Sequence, residues 1–78
     1  MNICMIGAGY VGLVSAACFS NFGWQVHCID KDADKVSGIV NGRMPIYEPG
    51  LEELVERNIK AGRLHVSTEL AEAVRNAD

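Results

Sequence analysis

A glycine-rich turn between two apolar runs is the feature that most limits how this chain can fold. Residues 7–12 read G-A-G-Y-V-G; they follow the short apolar run Asn2–Ile6 and lead into a longer, Ala-rich apolar stretch over 10–22. A second short apolar run, Gln25–Ile29, is closed by Asp30. A G-x-G-x-x-G turn between a strand and a helix, with an acidic residue after the next strand, is typical of a dinucleotide-binding β-α-β unit.

The rest of the chain continues the alternation of strands and helices. The predicted elements after Asp30 are a helix that begins at Asp32 or Asp34 and stops at Gly42, a loop over 43–49, a helix over 51–61 ended by Gly62, a strand over 64–67, and a last helix capped by Thr68 that carries Leu70, Ala71 and Val74. This order predicts an α/β fold, a Rossmann-type parallel sheet of about three strands with covering helices. A complete domain of this type has about six strands. We therefore expect residues 1–78 to be the first, adenosine-binding half of such a domain, with a fourth strand of the parent protein beside the first.

Each residue of the glycine-rich turn has a physical task in this interpretation. Gly7 permits the tight turn, Gly9 lets a pyrophosphate approach the backbone, and Gly12 allows the helix to pack closely on the sheet. The helix N-terminus offers unpaired N–H groups to the phosphates. The alternative is that these are ordinary turn glycines and that Asp30 is a helix cap.

Asp30 is expected to accept hydrogen bonds from the hydroxyls of the adenosine ribose. Its charge repels a 2′-phosphate, so the sequence favours NAD over NADP. Lys31 and Lys35 are basic residues close to this position, and Lys35 is expected to face the ribose or a phosphate of the cofactor.

Composition excludes several other classes of protein. The 78 residues carry a net charge of −3, which argues against a nucleic-acid surface, and contain no apolar run long enough to span a membrane. Cys4, Cys18 and Cys28 lie among apolar neighbours without a C-x-x-C spacing. They are predicted to be reduced, buried core residues, which fits a cytoplasmic location.

No second constellation of chemically active residues stands out. His27 and His65 each fall within a predicted strand without ligand partners at metal spacing, so no metal site is expected. Ser15 and Ser20 fall within the first helix without a recognisable base nearby, and we interpret them as packing residues.

Two segments together resemble a known family. The glycine-rich segment 7–13 (G-A-G-Y-V-G-L) and the segment 45–54 (P-I-Y-E-P-G-L-E-E-L) are similar to the N-terminus of the UDP-glucose/GDP-mannose dehydrogenases, and Tyr47 before Glu48 resembles the UDP-glucose branch. The resemblance covers essentially the whole chain. The second segment is the more specific, because no general physical rule requires such a string to recur.

The resemblance implies an enzyme that oxidises the C6 alcohol of a nucleotide sugar such as UDP-glucose in two NAD-dependent hydride transfers. Its catalytic cysteine lies far downstream, in a Gly-Gly-x-Cys setting that none of the three cysteines here has. The positions that match cofactor-binding residues are Gly7, Ala8, Gly9, Tyr10, Val11, Gly12, Asp30 and Lys35. The parent protein is expected to be a homo-oligomer, and the 78 residues alone are expected to be inactive.

The role of residues 47–50 stays open at this point. Pro49 and Gly50 suit the start of the helix over 51–61, which favours a structural role. A contact that shapes the cofactor site or a subunit interface is the alternative.

Overall fold

Six secondary-structure elements form the part of the chain that the computed structural model describes, residues 2–44, 48–69 and Arg75. They are β1 (Asn2–Ile6), α1 (Tyr10–Asn21), β2 (Gln25–Ile29), α2 (Ala33–Val40), α3 (Leu51–Lys60) and β3 (Leu64–Ser67). This order confirms the predicted alternation. Leu70, Ala71 and Val74 of the predicted last helix lie outside the described residues.

The three strands form one parallel sheet in the order β1-β2-β3. Cys4 is paired with His27, and His27 with His65, so these side chains form a row across the sheet. β1 lies at one edge, as expected for the first half of a doubly wound sheet. The α/β, Rossmann-type class is confirmed.

Local signals explain where α1 and α2 begin and end. Asp32, rather than Asp34, caps α2: its Oδ1 accepts hydrogen bonds from the backbone N–H groups of Asp34 and Lys35, both at 3.1 Å. α1 ends at Asn21, one residue before the predicted end, and the chain leaves it through Gly23, whose φ is +103°.

The core lies on one face of the sheet. Alternate positions of β2 and β3 face it, since successive side chains of a strand point to opposite sides. All three helices contribute to the same cluster, whose buried members are Ala8, Leu13, Ala16, Ala17, Val26, Cys28, Val36, Ile39, Leu51, Val55, Leu64 and Val66.

The cysteines differ from the prediction that all three are buried. Cys28 is fully buried, but Cys4 is half-buried and Cys18 is exposed. Cys4 occupies the face of β1 opposite to the core, because its neighbours Ile3 and Met5 pack against that core. α1 is apolar on all sides, so its sequence did not reveal that Cys18 lies on the outer side.

A buried polar group joins the C-terminal ends of α1 and α3. The fully buried Asn58 donates through Nδ2 to the Leu54 carbonyl at 2.9 Å and to Asn21 Oδ1 at 3.4 Å. Arg63 Nε donates to Asn58 Oδ1 at 3.0 Å and to the Ser20 carbonyl at 2.9 Å. Every polar atom of the Asn58 amide is therefore used in holding these two helix ends together.

Candidate functional site

The glycine-rich turn is held tightly where β1 passes into α1. Gly7 has φ +99°, a conformation that side chains rarely adopt, and its N–H donates to the Ile29 carbonyl at 2.6 Å. A Cβ placed on Gly12 would lie 2.1 Å from the Gly7 carbonyl oxygen. The first turn of α1 therefore rests directly on the backbone of the loop, which only glycine at residue 12 permits.

Gly9, in contrast, faces open space. It is exposed, is the N-cap residue of α1 with φ −75°, and would bring an added Cβ within 4 Å of no other atom beyond its chain neighbours. No side chain caps α1 at this end, so its first N–H groups and the positive end of its dipole point to this space. The arrangement fits a pyrophosphate, which needs backbone donors and no Cβ in its way. Tyr10 and Val11 follow directly and are largely exposed.

Asp30 is tied to both the loop and α2. Its Oδ2 accepts a hydrogen bond from the Ala8 N–H at 2.9 Å, and its Oδ1 accepts one from the Asp32 N–H at 2.9 Å. Lys35 Nζ donates to Oδ2 at 3.3 Å. The structure thus brings together Ala8, Asp30 and Lys35, all named from the sequence. The helix-capping role considered for Asp30 belongs to Asp32.

These contacts keep Asp30 charged. The Ala8 N–H, the Asp32 N–H and the Lys35 ammonium stabilise the ionised form and lower the pKa of Asp30 to about 2, although partial desolvation opposes the shift. At neutral pH the site presents a carboxylate, a group that can accept hydrogen bonds from hydroxyls and repels a phosphate at the same position.

The hydrogen-bonding capacity of Asp30 is nearly used. A carboxylate has about four acceptor positions, and Ala8, Asp32 and Lys35 occupy three of them. As far as the described residues show, this leaves one position for a hydroxyl of a ligand. The Lys35 contact is the longest of the three, so it is the one most easily given up to a second hydroxyl.

An open cleft of ≈ 420 Å³ adjoins this carboxylate at the carboxyl ends of the strands. Ile6, Ile29, Lys31 and Thr68 line it together with Gly7 and Asp30. Ligands of open α/β sheets bind at this end of the strands. The exposed Ile6 gives the cleft an apolar wall of the kind that a flat aromatic base requires.

One contact near the turn was not identified from the sequence. The Tyr10 hydroxyl donates to Glu48 Oε2 at 3.3 Å, across 38 positions of the chain. The helix after Glu48 begins at Leu51 with Gly50 as its N-cap at φ +84°, which agrees with the predicted helix start. The signal available in the sequence was the unusual segment 45–54; its residues 45–47, including Tyr47, lie outside the described residues.

The other candidate residues contact neighbouring side chains and backbone. The His27 and His65 rings stack at 4.7 Å, and His65 Nε2 lies 3.1 Å from Gln25 Oε1. Buried Ser20 donates to the Ala17 carbonyl at 2.9 Å, as expected of a packing residue. Within the described ranges, no group of three or more His, Cys, Asp or Glu side chains is arranged to hold a metal ion. In the same ranges, no helix has the length and apolar character needed to cross a bilayer.

Comparison with known proteins supports this interpretation of the site. A family model described as "UDP-glucose/GDP-mannose dehydrogenase family, NAD binding domain" matches residues 1–78. UDP-glucose 6-dehydrogenase of Rhizobium meliloti is 53% identical over 78 residues, which cover all of this chain and 18% of that protein. GDP-mannose 6-dehydrogenase of Pseudomonas syringae pv. syringae is 46% identical over the same span and share.

Solved structures agree with the sequence matches. The crystal structure of a ternary complex of GDP-mannose dehydrogenase from Pseudomonas aeruginosa has a TM-score of 0.94 and 41% identity, over 100% of this chain and 18% of that one. A UDP-glucose dehydrogenase from Pyrobaculum islandicum has a TM-score of 0.91 and 39% identity, over 99% and 18%. The chain thus spans less than a fifth of the length of the proteins it matches. It belongs to the UDP-glucose/GDP-mannose dehydrogenase family, and its residues 1–78 match the NAD-binding domain of that family.

Proposed function

We propose that the protein carrying this chain is a cytoplasmic, homo-oligomeric UDP-glucose 6-dehydrogenase that oxidises the C6 alcohol of UDP-glucose to the carboxylate with two NAD. In this proposal the chain holds the adenosine half of NAD. The residues assigned to that task are Gly7, Ala8, Gly9, Tyr10, Val11, Gly12, Asp30 and Lys35.

The observation that carries the cofactor assignment is the pairing of two features at the end of β1. The space at Gly9 is open beside uncapped N–H groups of α1, while the Asp30 carboxylate is fixed by the Ala8 N–H from the same turn. The first feature suits the pyrophosphate and the second suits the ribose. NAD supplies the hydride acceptor when bound; these residues bind and orient it and take no part in proton transfer.

The choice of UDP-glucose rests on the similarity of the whole chain to named relatives. UDP-glucose 6-dehydrogenases of Rhizobium meliloti and Pseudomonas aeruginosa are 53% and 49% identical, against 46% for the GDP-mannose enzyme of Pseudomonas syringae. The margin is small, and the chain covers less than a fifth of each of these relatives.

GDP-mannose is the second candidate substrate. The observation in its favour is the TM-score of 0.94 with the Pseudomonas aeruginosa GDP-mannose dehydrogenase. A nucleotide-sensing domain without catalysis, which the same β-α-β unit could serve, is the third possibility and is tested by the same experiment.

The experiment is a substrate panel with the full-length protein. UDP-glucose, GDP-mannose and UDP-N-acetylmannosamine are each supplied with NAD, and NADH formation is followed by absorbance. We expect UDP-glucose to give the highest kcat/KM and two NADH per sugar. UDP-xylose, which has no C6 alcohol, is the control and should give none.

Three results would contradict the proposal in different ways. A higher kcat/KM for GDP-mannose would contradict UDP-glucose as the substrate. One NADH per sugar would contradict the four-electron oxidation to the carboxylate. NADH binding without turnover of any sugar would favour a nucleotide-sensing domain without catalysis.

A further inference from the structure

The hydrogen bond between Tyr10 and Glu48 joins the glycine-rich turn to the segment that begins α3. Tyr10 is the first residue of α1, directly after Gly9, and 53% of it is exposed. Packing therefore holds its ring only in part. The hydroxyl contact with Glu48 Oε2 at 3.3 Å is the described polar contact that fixes where the ring lies.

Glu48, in contrast, is fixed by its backbone. Its carbonyl accepts the Leu51 N–H at 3.0 Å, and the Gly50 carbonyl accepts the Leu54 N–H at 3.1 Å, so the turn before α3 is closed. Glu48 is half-buried and lines a cleft of ≈ 240 Å³ between α1 and α3 with Val14. The backbone that carries the acceptor is thus closed into a turn, whereas about half of Tyr10 is exposed, so Glu48 is the better anchored partner of this hydrogen bond.

The position of the Tyr10–Glu48 pair beside the glycine-rich turn bears on how the cofactor binds. Tyr10 directly follows Gly9, and the open space assigned to the phosphates lies beside Gly9. A tyrosine free to change rotamer beside that space would enter it part of the time, and ordering it on binding would cost conformational entropy. A ring already held by Glu48 borders the space without filling it.

We propose that Glu48 is a positioning residue for NAD: through the Tyr10 hydroxyl it holds the tyrosine ring at the edge of the phosphate approach. The inference rests on the proposed cofactor-binding function of the glycine-rich turn. It assigns to the Glu48-Pro49-Gly50 segment a role in cofactor affinity besides that of starting α3.

The direction in which NADH affinity changes when Glu48 is removed distinguishes a positioning role from a purely electrostatic one. Glu48 is an anion close to a site for anionic phosphates, so its removal should strengthen NADH binding if charge alone acted. Positioning predicts the opposite. The test is NADH affinity, measured by fluorescence with the full-length protein and its variants Glu48→Ala, Glu48→Gln and Tyr10→Phe.

We expect Glu48→Ala and Tyr10→Phe each to raise the Kd for NADH by about three- to tenfold, the cost of ordering one freed side chain on binding. The double variant should be no weaker than the worse single variant within about twofold, because both remove the same contact. Glu48→Gln retains an acceptor oxygen and should recover most of the affinity. In turnover, KM for NAD should rise while kcat stays the same.

The control is Glu53→Ala, which removes an exposed carboxylate from the first turn of the same helix. An unchanged or lowered Kd in Glu48→Ala, an equal loss in Glu53→Ala, or full additivity in the double variant would overturn the proposal. So would a loss in Glu48→Gln as large as in Glu48→Ala. Wild-type protein that binds NADH but oxidises no sugar would refute the substrate assignment alone, and absence of NADH binding would refute both.

Discussion

The contact of Gly12 with Gly7 allows a prediction worked from geometry. In Gly12→Ala the new Cβ would lie 2.1 Å from the Gly7 carbonyl oxygen and 3.3 Å from its carbonyl carbon. Both partners are backbone atoms, so no side-chain rotation can relieve the overlap. Either α1 moves away from the sheet or the turn at Gly7 opens.

The magnitude follows from two opposing effects. Overpacking of this kind costs typically about 1–3 kcal/mol and occasionally more, and a backbone partner places this case at the upper end. Alanine recovers up to about 1 kcal/mol because it is a better helix former than glycine. We therefore expect a net loss of about 2–3 kcal/mol in the free energy of unfolding. At about 2–4 °C per kcal/mol for a domain of 150–250 residues, Tm should fall by about 4–12 °C.

Gly9→Ala is the matched variant, and we expect it to weaken NADH binding more than it lowers stability. Its Cβ meets no atom within 4 Å and its φ of −75° suits alanine, so only a preference of up to about 1 kcal/mol for glycine over alanine at the N-cap is lost. The added methyl group instead occupies the space assigned to the pyrophosphate. We expect Tm to fall by at most about 2–4 °C and the Kd for NADH to rise strongly.

The two variants are compared by thermal melting without cofactor and by NADH fluorescence titration of the folded protein. The reasoning is refuted if Gly12→Ala melts within about 1 °C of the wild type. It is equally refuted if Gly9→Ala binds NADH as tightly as the wild type.

Four further predictions concern groups around and behind the site. Asp30→Asn should raise the KM for NAD by about 10- to 100-fold and weaken discrimination against NADP, because a charged acceptor is lost; equal KM values before and after the change would contradict it. Since the pKa of Asp30 is lowered from 3.8 to about 2, its stabilising contribution is complete above pH 3.8 and is lost as pH falls towards 2, which acid unfolding of Asp30→Asn against the wild type should show. Burial and the Asp30 charge raise the pKa of Cys28 to about 11, so a maleimide at neutral pH should label exposed Cys18 well before Cys28, as peptide mapping would detect. Asn58→Ala should lower the free energy of unfolding by about 1–3 kcal/mol, since Arg63 loses a buried acceptor, and an unchanged urea midpoint would refute this.

The backbone conformation of the glycine-rich turn could be predicted from the sequence because its signals are local. Gly7 and Gly12 are required by backbone conformation and close approach, and Asp30 follows directly from a strand. The cap of α2 was narrowed to two residues, of which Asp32 is the one used.

Contacts between distant segments could not be predicted in this way. The Tyr10–Glu48 hydrogen bond depends on how α1 and α3 pack, and a single sequence contains no signal for that packing. Cys18 was assigned to the core because α1 is apolar on all sides, so no periodicity distinguished its buried side from its outer one. The hydrogen bonds that Ala8 and Lys35 donate to Asp30 likewise depend on tertiary packing, which a single sequence does not show.

The polar group around Asn58 makes the two ends of the α1–α3 pair mechanically unequal. At the C-terminal ends, Asn58 and Arg63 fasten both helices through several hydrogen bonds in a buried setting. At the N-terminal ends, beside the glycine-rich turn, the side-chain hydrogen bond found among the described residues is the exposed one from Tyr10 to Glu48. We therefore expect small adjustments to a ligand to occur at the N-terminal ends of α1 and α3, beside the glycine-rich turn. The C-terminal ends keep the two helices aligned on the sheet.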